Sequence, residues 1–133
     1  MLSVKCFSLT KGVPLMSQDD RLEKTNRINR LFDFYEHLLT EKQQTFLKYY
    51  FHDDFSLGEI ATEFEISRQA VYEHIKRAEQ VLDMYEEKLS LLQKYEQRNL
   101  EIEQLRHVLT TVDVSTEDKE KLISILDRLQ VYE

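Results

Sequence analysis

In the stretch SRQAVYEHIKRAEQ, six residues could do chemistry on a nucleic acid: Arg68, Gln69, Tyr72, Glu73, Lys76 and Arg77. Arg and Gln have the fork geometries that pair with the major-groove edges of guanine and adenine, and a carboxylate such as Glu73 can accept from a cytosine amino group. Lys76 and Arg77 suit phosphate oxygens. Between Ser67 and Gln80 the balance is three positive residues against two negative, Glu73 and Glu79. No comparable grouping supports catalysis. His37, His52, His74 and His107 are scattered, and none stands with a nucleophile or with metal-ligand spacing. His52 beside Asp53 and Asp54 is the one local cluster, and it reads as a polar turn. With 2 glycines in the chain there is no glycine loop to cradle a phosphate. The expectation is a non-enzyme with no cofactor and no metal.

The elements that must position those six residues are helices. Only 2 Gly and 1 Pro interrupt 133 residues rich in Leu, Glu, Lys and Gln, a composition that points to an all-α protein. Around Arg68 the pattern is two short helices joined by a turn. Ser56 caps the first, with Glu59 completing a capping box, and Leu57, Ile60, Ala61 and Phe64 form its apolar side. Ser67 caps the second. At 100° per residue, Ile75, Ala78 and Leu82 fall within about 40° of Val71. That narrow stripe leaves Gln69, Tyr72, Glu73, Lys76 and Arg77 facing away. Arg68 sits at the helix start, where recognition helices touch bases.

Upstream, Ile28, Leu31, Phe32, Tyr35, Leu38 and Leu39 follow the i, i+3, i+4, i+7 rule of an amphipathic helix running from about Leu22 to Leu39. Thr40 and Gln43 make a capping box for a next helix that buries Phe46, Leu47 and Tyr50. Downstream, the apolar stripe continues from Leu82 through Tyr85, Leu89 and Leu92. These four are the expected oligomerisation seam. The register then shifts to Tyr95, Ile102, Leu105 and Leu109, and a last helix, capped at Ser115, is expected to bury Leu122, Ile125, Leu126 and Leu129. Too little core exists for these C-terminal helices to stand alone, so they fold back or pair with another chain.

The formal charge of -7 is uneven: +1 over residues 1–40, -3 over 41–80 and -5 over 81–133. Weak non-specific attraction to phosphate follows, so any DNA affinity must come from one small face. No apolar run approaches the ~18 residues needed to span a membrane, and the start lacks a signal-peptide core. The expected location is cytoplasmic. Cys6 is the single cysteine, which rules out an internal disulfide. Residues 1–18 read as a flexible leader, with Met16 a candidate start of translation. Residues 19–83 read as the helix-turn-helix domain, and 84–133 as a helical extension for oligomerisation.

The run LTEKQQTFLKYYFHDDFSLGEIATEFEISRQAVYEHIKRAEQVL resembles the region-four domain of bacterial sigma factors, with its EIA and its IS before the recognition helix. LEKTNRINRLFDFYEHLLTEKQQTFLKYYFHDDFSLGEIA is similar to the YlxM family, small bacterial proteins encoded beside the signal recognition particle GTPase. Together the likeness covers about residues 20–109. It implies a sigma-four-like helix-turn-helix domain followed by long C-terminal helices, and a DNA-binding regulator tied to the signal recognition particle pathway by gene neighbourhood. Glu65 departs from the pattern, because sigma-like motifs carry Gly at that turn. The chain also lacks the further basic regions of a complete sigma factor. Two functions follow: a homodimeric regulator of double-stranded DNA, or a helical adaptor contacting a signal recognition particle component or another protein.

Overall fold

The computed structural model describes residues 17–131, and every regular element among them is helical. The expected leader, with Cys6 and Met16, lies outside the described residues except at its end, where Ser17 already caps a helix. Helix α1 spans Gln18–Tyr35 and closes in a 3-10 turn, Glu36–Leu38. Helix α2 spans Glu41–Leu47 and widens into a π turn, Lys48–His52. Then come α3, Leu57–Phe64, α4, Arg68–Leu89, α5, Leu91–Leu109, and α6, Thr116–Val131. The fold is all-α, as the composition requires, and no described helix is long and apolar enough to cross a membrane. The chain divides into two compact units, with the division between Glu79 and Gln80 inside α4.

In the first unit the helix starts are written in four-residue signatures. Ser17 with Asp20, Thr40 with Gln43, and Ser56 with Glu59 each form a reciprocal capping box. Ser67 Oγ accepts from the Ala70 amide at 3.0 Å and starts α4. Each box satisfies amides that a helix cannot pair internally. The core they frame contains Ile28, Leu31, Phe32 and Tyr35 of α1, Phe46, Leu47 and Phe51, Ile60 and Ala61, and the α4 stripe of Val71, Ile75 and Ala78. Phe46 lies between Phe64, with centroids 4.8 Å apart, and His74, stacked at 4.9 Å.

Three local expectations shift. The α1 helix stops at Tyr35, and in the tighter turn after it Leu38 points outward while Leu39 is buried. The π turn adds residues to the end of α2, so Phe51 is buried and Tyr50 is only half-buried. His52 closes that turn with its ring edge against Phe32, at 5.2 Å.

The second unit holds the end of α4, α5 and α6. The stripe expected to run unbroken from Leu82 to Leu92 is cut at Ser90, which takes left-handed angles of φ 54°, ψ 33°. Glu86 explains how the break is held: its carboxylate oxygens accept from the Leu92 and Gln93 amides at 3.1 and 3.0 Å. That caps α5 from within α4. Helices α5 and α6 then form a hairpin with a buried cluster of Ile102, Leu109 and Leu126. Arg106 ties its two helices together, donating to Asp127 at 2.7 Å and to Gln130 at 2.9 Å. Leu105, Leu122, Ile125 and Leu129, expected in this core, are 40–49% exposed. A sequence period shows that an apolar stripe exists, but a helix with neighbouring apolar positions can turn either edge of it inward.

Candidate nucleic-acid interface

Helix α3, its turn and the first half of α4 make a helix-turn-helix. The turn depends on Glu65, which adopts φ 55°, ψ 44°, the left-handed region where sigma-like motifs place Gly. The Ile66 amide donates to the Ala61 carbonyl at 3.1 Å and the Glu65 amide to the Thr62 carbonyl at 3.4 Å. This is the paired Schellman closure of a helix C-terminus. The backbone is therefore the one Gly would give, and Glu65 carries its strain.

Beyond the turn, burial of Val71, Ile75 and Ala78 fixes the rotation of α4 and sets the six candidate residues outward or edgewise. They fall into two groups. On the outer edge Glu73 joins the others: one carboxylate oxygen accepts from Gln69 at 3.4 Å, and the other lies 3.6 Å from the Arg77 guanidinium. Arg77 and Glu73 are both well exposed, so the pair adds little stability. Its effect is local charge: the one acid central to the face sits against a base of the same face.

On the edge toward α1, Tyr72 and Lys76 act together, with the Lys76 ammonium 5.7 Å from the Tyr72 ring centroid. Arg68 is exposed at the first position of α4, and a Cβ on Gly58 would stand 4.0 Å from its Nε, so it lies over the first turn of α3. Of the four seam residues, Leu82 and Leu92 are buried, Tyr85 is half-buried and Leu89 is exposed.

Sequence reasoning missed the α1 contribution. Tyr72, Ile75, Lys76 and Glu79 of α4 border a cleft of about 200 Å³, closed on its other sides by Arg21, Lys24 and Thr25 of α1 and by Tyr50, Phe51 and Leu57. Glu79 is 8% exposed and is the one buried charged residue of the described chain. Lys24 Nζ stands 3.0 Å from its carboxylate and Lys76 Nζ 4.0 Å. Partial burial draws the Lys24 ammonium down, but hydrogen bonding and charge from Glu79 outweigh it, and its pKa lies above the ordinary lysine value. The signal was available. Positions 21, 24, 28, 31 and 35 continue one 3-4-3-4 stripe, so Arg21 and Lys24 share the face that Ile28, Leu31 and Tyr35 bury.

On the opposite edge of α4, His74 stacks on Phe46. Burial, then the positive charges of Lys42 and Arg77, hold its pKa below the ordinary imidazole value, against the opposing pull of Glu73. His74 is thus neutral near pH 7.

Residues 22–123 match the model of the UPF0122 family, described as "Putative helix-turn-helix protein, YlxM / p13 like". A UPF0122 protein of Halalkalibacterium halodurans is 52% identical over 112 residues, spanning 84% of this chain and 99% of that relative. One of Listeria innocua is 59% identical over 88 residues, 66% of this chain and 80% of the relative. A third, of Bacillus pumilus, is 51% identical over 108 residues, 81% and 97% of the respective lengths.

Proposed function

Because this chain belongs to the UPF0122 family of YlxM/p13-like helix-turn-helix proteins, we propose that it is a cytoplasmic, homodimeric regulator that reads double-stranded DNA with α4. The observation that carries the reading is the Glu65 turn, which delivers a Ser67-capped α4 with Arg68, Gln69, Tyr72, Glu73, Lys76 and Arg77 at its accessible positions. Arg68 and Gln69 at the helix start contact base edges, as the N-terminal residues of recognition helices do. Lys76 and Arg77 contact phosphate, and Glu73 accepts from a cytosine amino group. A monomer offers a small basic face; a dimer doubles it and places two α4 helices on half-sites about one helical turn apart.

Dimerisation draws on the second unit. Leu82 and Leu92 are already covered within the chain, so of the expected seam Leu89 and Tyr85 are the side chains with surface to give. Leu105, Leu122, Ile125 and Leu129 extend the available apolar surface along the hairpin. Exposed apolar groups at this density mark interaction surfaces.

The test is fluorescence anisotropy of labelled duplexes tiled along the DNA around the protein's own gene, at low and physiological salt. Saturable binding to one tile, lost in the Arg68→Ala/Arg77→Ala variant, supports the reading. Flat curves on every tile sink it. Sedimentation velocity of Leu89→Glu and Ile125→Glu reports the dimer, and masses unchanged from wild type in both would remove the proposed seam.

A second reading is favoured by the net charge of -5 over residues 81–133 together with the exposed hairpin leucines. An acidic, partly apolar surface steers toward basic protein partners. In that case the chain is an adaptor for a signal recognition particle component, and the Arg68→Ala/Arg77→Ala variant binds the purified particle as wild type does.

A further inference from the structure

The cleft between α1 and α4 carries an arrangement that the helix-turn-helix alone does not explain. Three cations, Arg21, Lys24 and Lys76, border it, against one carboxylate, Glu79. Arg21 and Lys24 occupy stripe positions that, a turn further along α1, hold the buried Ile28 and Leu31. Arg21 is exposed there and Lys24 half-buried, so the desolvation cost of a cation on this face falls on Lys24. Glu79 meets part of that cost by holding Lys24 at 3.0 Å, with Lys76 also within 4.0 Å. An ammonium has three donors, so one ion pair leaves each lysine with hydrogen-bonding capacity. The tether holds the two ammonium groups around one point beside the exposed Tyr72. Where Glu73 offsets Arg77 on the outer edge of α4, the inner edge keeps an excess of two positive charges.

We propose that this cleft takes a phosphate of the DNA backbone, with Arg21 and Lys24 of α1 and Lys76 of α4 as its donors. Glu79 is a positioning residue that holds the two lysine ammonium groups together at the cleft. This inference rests on the DNA-binding reading above and adds α1 to the interface. It also bears on how a chain of net charge -7 could hold a duplex. The basic surface of this acidic chain is a pocket shared by two helices, and the cations on α4 itself are only part of it. Phosphate contacts fix register and orientation and carry no base information, so the cleft sets how α4 lies on the duplex and leaves base choice to Arg68 and Gln69.

The experiment is a salt titration of two labelled duplexes, the tile that wild type binds and a random sequence of equal length. Wild type, Arg21→Gln, Arg21→Gln/Lys24→Gln and the charge-conserving Arg21→Lys are compared, each checked for helicity by circular dichroism. One phosphate contact corresponds to a slope of about 0.9 in log K against log salt. The double variant is expected to lose that slope, so its affinity drop over a fourfold rise in salt is about 3.5-fold smaller than wild type's. The loss is equal on both duplexes. Arg21→Gln leaves the Lys24–Glu79 pair intact and loses part of the slope, which keeps the test readable if the double variant unfolds; Arg21→Lys retains it. Unchanged slopes in folded variants that still bind the tile overturn this inference alone. A wild type that binds no duplex overturns the DNA-binding reading and this inference with it. Inorganic phosphate, added at constant ionic strength, separates the two sources of the same chemistry. No displacement of duplex is expected, and displacement at low-millimolar phosphate reassigns the cleft to the free anion.

Discussion

Replacing Glu65 with glycine should stabilise the protein, and the size of the gain follows from the turn geometry. At φ 55°, ψ 44° a residue with a Cβ suffers a clash with its own carbonyl that costs about 1–2 kcal/mol. Glycine removes the clash. It also gives the unfolded chain more freedom, which offsets about 0.4–1 kcal/mol. The Glu65 side chain is exposed, so its loss uncovers no core. The net expectation is a gain of about 0.5–1 kcal/mol, or about 2–4 °C in Tm for a chain of this size. Alanine supplies the control, because Glu65→Ala keeps the Cβ and the strain. Urea unfolding followed by circular dichroism, with the m-value unchanged between variants, should place Glu65→Gly about 1 kcal/mol above Glu65→Ala. Equal midpoints for the two would refute the left-handed turn.

Three further outcomes follow from the contacts. His74 is held neutral when folded, so its contribution is complete above the unfolded imidazole value of about 6.5 and is lost as pH falls through that value toward the lower folded one. The stability difference between wild type and His74→Gln should therefore be flat well above the unfolded imidazole value and move against wild type as pH falls through about 6.5, and a pH-independent difference would contradict the assignment. Ser56→Ala removes one half of a capping box and should cost about 1 kcal/mol, with Ser56→Gly costing only a few tenths; similar losses for both would show that the hydroxyl does not cap α3. Glu86→Ala strips the acceptor from the Leu92 and Gln93 amides, and hydrogen exchange at those two amides should rise while exchange at Ile28 and Leu31 stays as in wild type.

Much of this was legible because the signals are short. A Ser or Thr with Glu or Gln three residues later fixes a helix start within four positions, and Thr40 and Ser56 both start their helices as read. The Val71, Ile75, Ala78 and Leu82 stripe was equally plain, since only one face of α4 is apolar over those turns. Ser90 was not legible. Serine has no special liking for left-handed angles, and its break is held by Glu86, whose role depends on the break already existing. Leu122 and Ile125 were misread as core because the hairpin offers one partner helix to a helix with two adjoining apolar edges. The cleft was missed for a different reason. Arg21 and Lys24 look like ordinary surface cations until the stripe they share with Ile28 is traced back along α1.

The ties that Glu73 makes to Gln69 and Arg77 bear on time as well as on charge. On the proposed DNA-binding reading, a duplex approaching α4 with the wrong bases would have to separate Arg77 from Glu73 and bring its phosphates near a carboxylate, with no cytosine amino group to meet it. On that reading such encounters would end quickly, and replacing Glu73 with glutamine would lengthen them on every sequence.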